Sequence, residues 1–209
     1  MTRAGGRATM IEQTLRERGD WLGASCVPQF RDRGLLFAGR ISDGALVLTG
    51  IGGKVEPGET FREAVLREFA EEAGVVPRLL KPPMARSVGD GASEMSVPEG
   101  AALLCSLRAS SADSRRLWIA VFMGTLEAAP RPIEKVRFFV VVPPRSAGEP
   151  WDARGPGGLE MVANDEIVPA TEVLPDGITA LRAELSAHAV LSTPGLFDEW
   201  SRTTEQPGG

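Results

Sequence analysis

Apolar and polar residues alternate along this chain in two rhythms, one of helical spacing and one of short runs cut by turn residues. At 100° per residue, Phe61, Val65, Phe69 and Ala73 lie along one edge of a helix, and Leu66 and Ala70 widen the apolar side. A helix is predicted over Phe61–Ala73. Its ends are also written in the sequence: Pro57 and Gly58 make a turn, Thr60 caps the first turn with Glu63 completing a capping box, and Gly74 falls where a left-handed cap belongs. Met10, Ile11 and Leu15 predict an earlier helix over Thr9–Arg18, ended by Gly19. Ile178, Leu181, Leu185 and Ala189, with Pro194 soon after, predict a C-terminal helix over Gly177–Leu191.

The short apolar runs predict strands at 25–30, 35–38, 45–49, 101–107, 117–126, 135–142 and 166–169. Residues 87–100, rich in Gly, Ser and acidic side chains, read as a surface loop, and 145–158, with two prolines and four glycines, as a mobile one. Strands on both sides of a helix, without an internal repeat, indicate an α/β layered domain.

Composition narrows the function classes. The 209 residues carry 23 Lys and Arg against 28 Asp and Glu, a net charge of −5. That balance argues against a basic grip on nucleic acid, and no nucleic acid duplex is expected as a partner. Cys26 and Cys105 match neither a metal pattern nor a disulfide framework, which suits buried thiols in a reducing compartment. The longest apolar run, 138–142, is too short to span a bilayer, and the N-terminus lacks a signal-like apolar core. No membrane association and a cytoplasmic location are therefore expected.

The chemistry concentrates on the helix at 61–73. Glu68, Glu71 and Glu72, at i, i+3 and i+4, occupy an arc beside its buried edge, where three carboxylates repel one another and resist desolvation. A divalent cation resolves that conflict, and hard oxygen ligands select Mg²⁺ or Mn²⁺. Taken alone, such glutamates more often form a solvated acidic face. The wider spacing decides otherwise. Gly53, Glu59, Arg67-Glu68, apolar Phe69, Glu71-Glu72, Gly74 and apolar Val75 fill all nine constrained positions of one signature, a coincidence of order ~10⁻⁵ by chance. Residues 53–75 closely resemble the Nudix box of the Nudix hydrolases, with Phe69 where an aliphatic residue is commoner.

That resemblance implies an α/β/α sandwich with a mixed β-sheet, here one domain over 21–200 with an N-terminal helical extension (1–20) and a flexible tail (201–209). It implies Glu68, Glu71, Glu72 and the Gly52 carbonyl as metal ligands, and Gly53, Glu59 and Gly74 as structural members of the motif. Arg67 joins the catalytic set by orienting helix and loop. The base that accepts the water proton is Glu72 or Glu71 from the box, or Glu166 from the late segment Asn164-Asp165-Glu166-Ile167-Val168. The implied reaction is hydrolysis of a phosphoanhydride bond in a nucleoside diphosphate linked to another moiety, or in a nucleoside triphosphate. Two alternatives are a non-catalytic nucleotide-sensing domain, against which every box carboxylate is retained, and an isoprenoid-diphosphate isomerase, for which neither cysteine lies in a matching segment.

Other side chains carry less. His188 has no second His or Cys near it in sequence, and packing or surface placement is its expected role. Trp118 and Trp151 are candidates for stacking on a base, with packing as the commoner use of tryptophan. Arg40 is a candidate phosphate contact. The chain has no tyrosine, which removes the downstream Tyr of dinucleoside-polyphosphate enzymes in the family. Apolar Leu196, Phe197 and Trp200 suit either a homodimer contact or packing on the same domain.

Overall fold

A computed structural model describes residues 9–92, 95–108, 115–133, 136–144, 150–153, 155–193, 195–196 and 200. The expected flexible ends at 1–8 and 201–209, residues 145–149 and 154 of the 145–158 loop and Phe197 lie outside the described residues.

The elements run α1 (Met10–Glu17), β1 (Trp21–Phe30), β2 (Gly34–Ser42), β3 (Ala45–Thr49), β4 (Ile51–Lys54), α2 (Phe61–Ala73), β5 (Arg78–Leu79), β6 (Arg86–Gly89), β7 (Ala101–Arg108) and β8 (Arg116–Leu126). They continue with β9 (Phe138–Val142), β10 (Glu160–Ala163), β11 (Glu166–Pro169), β12 (Ala180–Ala183) and α3 (Leu185–Ser192). The strands form a mixed sheet in the order β11-β10-β9-β2-β1-β8-β7-β6, with β3 and β12 branching from β2 and β4 from β1. β1 lies at its centre. It runs parallel to β8 from Trp21↔Leu117 to Phe30↔Leu126 and antiparallel to β4 from Gly23↔Lys54 to Cys26↔Ile51.

Two apolar layers sandwich the sheet because successive strand residues face opposite sides. Phe139 and Val141 of β9 join Leu15 of α1 and Phe61, Val65 and Phe69 of α2 on one side. Val140 and Val142 join Ala187, Val190 and Leu191 of α3 on the other. The arrangement is the expected α/β/α sandwich with a mixed sheet. Leu196 and Trp200 are buried in the second layer, so their apolar surface is used within the chain. Cys26 and Cys105 are buried free thiols; burial raises both pKa values, that of Cys105 to about 12.

Three expectations about elements need correction. The helix predicted over 177–191 begins only at Leu185, because Ala180–Ala183 instead pair in parallel with β3, Ala180 opposite Ala45 and Ala183 opposite Leu48. Half-buried Leu181 and Ala183 alternate there with exposed Ala180 and Arg182, a two-residue period that satisfies the edge of β3. The loop predicted at 87–100 opens as strand, with Arg86–Gly89 running parallel to β7 from Arg86↔Leu103 to Gly89↔Ser106. β4 and β10 are strands without a sequence prediction: the first is half glycine, and the second has only Met161 and Val162 as large apolar residues.

Candidate active site

The site is assembled where β4 meets α2. At Gly52, φ is +154° and an added Cβ would stand 2.1 Å from the Ala24 carbonyl oxygen, so only glycine lets β4 approach β1 this closely. At Gly53 the obstacle is different: a Cβ would lie 2.3 Å from a carboxylate oxygen of Glu68. The missing side chain of Gly53 is what lets the Glu68 carboxylate rest against the strand. The Gly52 N–H donates to Glu72 Oε2 at 3.1 Å.

α2 holds these carboxylates in place through its buried edge and its caps. Phe61, Ala64, Val65, Phe69 and Ala73 are buried. Thr60 Oγ1 accepts from the Glu63 N–H at 3.1 Å, and Glu63 Oε2 accepts from the Thr60 N–H at 2.9 Å. Gly74 closes the helix in the left-handed region at φ 68°. Each boundary follows from local chemistry already legible in the sequence.

Arg67 organises the acidic cluster. Nε donates to Glu59 Oε1 at 2.8 Å, and Nη2 donates to Glu59 Oε2 at 3.0 Å and to the Lys54 carbonyl at 2.9 Å. Nη1 reaches Glu68 Oε1 at 2.7 Å and Glu71 Oε2 at 3.1 Å. The Glu59 and Glu68 side chains are 16% and 17% exposed against 48% for Glu71, so the bonds to the first two are the less water-screened. The bidentate bond from Arg67 holds the Glu59 carboxyl below its ordinary range, and the Arg67 guanidinium is held correspondingly more firmly protonated.

Along β4, at Gly52, Gly53 and Lys54, opens a cleft of about 590 Å³ walled also by Trp21, Leu117 and Ile119; the box glutamates are not among its lining residues. Three carboxylates, Glu59, Glu68 and Glu71, surround one guanidinium, and Glu72 stands beside them on the Gly52 N–H. Among the described residues no three Asp, Glu, His or Cys side chains already converge as metal ligands, and Arg67 stands between Glu68 and Glu71. The all-oxygen donor set nonetheless fits a hard divalent ion, which oxygen-only ligation selects.

Glu166 is placed apart from this group. It is exposed on β11, opposite Ala163 and beside the Asn164-Asp165 turn. Its neighbour Asp165 lies 3.5 Å from Arg131 and borders a smaller cavity at the C-terminal end of α2, with Ala73 and Gly74. Trp118 is 1% exposed and its indole Nε1 donates to Asp20 Oδ2 at 2.9 Å, so it is a packing residue and not a stacking platform. Trp151 is half-buried against the second apolar layer. Arg40 pairs with Glu184 at 2.7 Å, and His188 is exposed on α3 with Nδ1 3.3 Å from Ser192 Oγ. Sequence reasoning missed Glu12, Arg16 and Asp20, which reach the site region from before the box; the Thr9-x-x-Glu12 spacing signals a cap but not the contact across the fold.

The site is thus a glutamate-bearing helix, capped at both ends and pressed on a Gly-Gly strand. The family model described as NUDIX domain matches residues 20–154, well over half of the chain, and the chain belongs to that family as a Nudix hydrolase. Among solved structures it is similar to the MutT protein from Methanosarcina mazei Go1, at 17% identity and TM-score 0.40 over 57% of this chain and 73% of that one. It is similar also to the E. coli ORF135 protein, at 16% identity and TM-score 0.38 over 57% and 70%. A NUDIX family hydrolase from Clostridium perfringens gives 19% identity and TM-score 0.37 over 57% and 78%. Comparison with curated proteins gives no match. The family assignment rests on the domain match and the complete box. Among the described residues no helix is long and apolar enough to cross a membrane.

Proposed function

We propose that the chain hydrolyses a phosphoanhydride bond in a nucleoside diphosphate linked to another moiety, or in a nucleoside triphosphate, with Mg²⁺ or Mn²⁺ as cofactor. The observation that carries the reading is the Glu68 carboxylate lodged in the space left by Gly53, with Glu72 bonded to the Gly52 N–H at the margin of the cleft. Glu68, Glu71, Glu72 and the Gly52 carbonyl would hold the metal. When bound, the divalent ions neutralise phosphate oxygens and acidify the attacking water.

The chain's own residues do the rest. Arg67 fixes Glu59 and the Lys54 carbonyl, and so sets the loop between β4 and α2 against the helix. The cleft walls at Trp21, Leu117 and Ile119 receive the apolar part of the substrate and exclude water around it. Glu72 or Glu71 accepts the proton from the attacking water, with Glu166 as the candidate outside the box. The small, anionic substrate reconciles the acidic composition with phosphate chemistry, because bound cations and not a basic surface meet its charge.

The test is a panel of nucleoside diphosphate sugars, dinucleotides and nucleoside triphosphates incubated with Mg²⁺ or Mn²⁺ and resolved by mass. Cleavage at a pyrophosphate linkage in at least one compound is expected. Tight binding of one compound without cleavage of any would favour a sensing domain.

A further inference from the structure

The helix α1 precedes the family-matched segment, which begins at residue 20, yet it is bonded into the candidate active site at two points. Glu12 is a carboxylate only 1% exposed. Its Oε1 accepts the Phe61 N–H at 2.9 Å, the first N–H of α2, and its Oε2 accepts the Thr9 N–H at 2.5 Å and the Thr9 hydroxyl. One buried carboxylate therefore serves the N-termini of two helices, where the orphan N–H groups and the helix dipole favour negative charge. One turn further along α1, Arg16 Nη2 donates to the Val55 carbonyl at 3.2 Å and the Glu56 carbonyl at 2.6 Å, holding the loop between β4 and α2.

These contacts continue without a gap to the acidic cluster. The Glu56 N–H donates to Glu59 Oε2 at 2.9 Å, Glu59 is held bidentately by Arg67, and Arg67 holds Glu68 and Glu71. We propose that α1 is a positioning clamp: Glu12 fixes the start of α2, Arg16 fixes the loop before it, and together they hold the box carboxylates in register with Gly52 and Gly53. The clamp rests on the reading of Glu68, Glu71 and Glu72 as the metal-binding set. A buried carboxylate left without its donors would be strongly disfavoured, so the pairing of Glu12 with Phe61 is a fixed feature of the fold and not a fluctuating surface contact.

The experiment compares Glu12→Gln and Arg16→Ala in the full chain with the wild type, using Mn²⁺ alone as probe, with amide hydrogen exchange and steady-state kinetics alongside. Each variant is expected to weaken Mn²⁺ binding by roughly 3- to 30-fold, the range of coupling carried through such networks, and to lower kcat more than it raises KM. Glu12→Gln should also speed exchange at the Phe61 amide while leaving amides of β7 and β8 unchanged. Arg16 is only partly buried, so its variant keeps the test intact if Glu12→Gln fails to fold. Unchanged Mn²⁺ affinity and kcat in the folded variants would overturn the clamp. Glu68→Gln, titrated in parallel, separates the two readings: unchanged affinity there would count against the metal site itself, whereas weakened affinity there with intact binding in the clamp variants counts against α1 alone.

Discussion

Gly53 and the Glu68 carboxylate share a space too small for one further methyl group, since a Cβ at residue 53 would come within 2.3 to 2.7 Å of all three carboxyl atoms. Gly53→Ala must therefore displace Glu68. Misplacement of a functional group by about an ångström can cost on the order of 10²-fold in rate, so a fall in kcat of at least roughly 10-fold is expected, with thermal unfolding shifted little. Wild-type turnover in folded Gly53→Ala would contradict the placement of Glu68. The same scale supplies a pH dependence. Arg67 lowers the Glu59 carboxyl from its ordinary 4.5. The folded value lies below the unfolded one, so the stabilisation is complete above about pH 4.5 and is lost as pH falls through the folded value. Thermal unfolding of the wild type should thus lose stability below pH 4.5, and Glu59→Gln should lose less over that acid window. Parallel curves for the two proteins would remove the Glu59–Arg67 pair as the cause.

The element that matters most is α2, and its stability is set at its ends as much as along its buried edge. Thr60→Ala removes the acceptor for the Glu63 N–H and should destabilise the protein by about 1 kcal/mol, measured by denaturant unfolding. A change under a few tenths would show that the other bonds at this terminus suffice. α2 was legible from sequence to the residue because its caps, its turn and its apolar edge are all local chemistry. The C-terminal half of the helix predicted over 177–191 is α3, but its start and the strand β12 were not legible. Ile178, Leu181, Leu185 and Ala189 mimic a helical stripe, but Leu181 pairs across to Leu46, and a ladder between residues so distant in sequence leaves no mark on local spacing. Glu12 was hidden for the same reason: its bond to Phe61 spans 49 positions, and in sequence it reads as an ordinary glutamate of a first turn.

At the scale of the molecule, the sheet divides the chain into two apolar layers and leaves the box helix on one of them, with Glu68 and Glu72 set against Gly53 and Gly52, two of the glycines that line a cleft. The net charge of −5 takes on a local meaning there. Residues 53–75 hold six glutamates against Lys54, Arg62 and Arg67, a balance of −3, so more than half of the overall imbalance lies in the box. Nothing in composition alone could place that surplus; the spacing of the box residues did, and Arg67 gathers Glu59, Glu68 and Glu71 around itself in the fold. Glu166, the candidate base chosen by its position in a late segment, is exposed on the edge strand β11, a placement that its sequence position alone does not give.

The proposed hydrolysis rests on the box glutamates. It is tested most directly by the turnover of purified Glu68→Gln and Glu72→Gln on the best-cleaved nucleotide, with Mg²⁺ or Mn²⁺ saturating and folding checked by circular dichroism. Each variant is predicted to lose at least roughly 10²-fold in kcat while keeping its fold. Wild-type-like turnover in both would contradict the site.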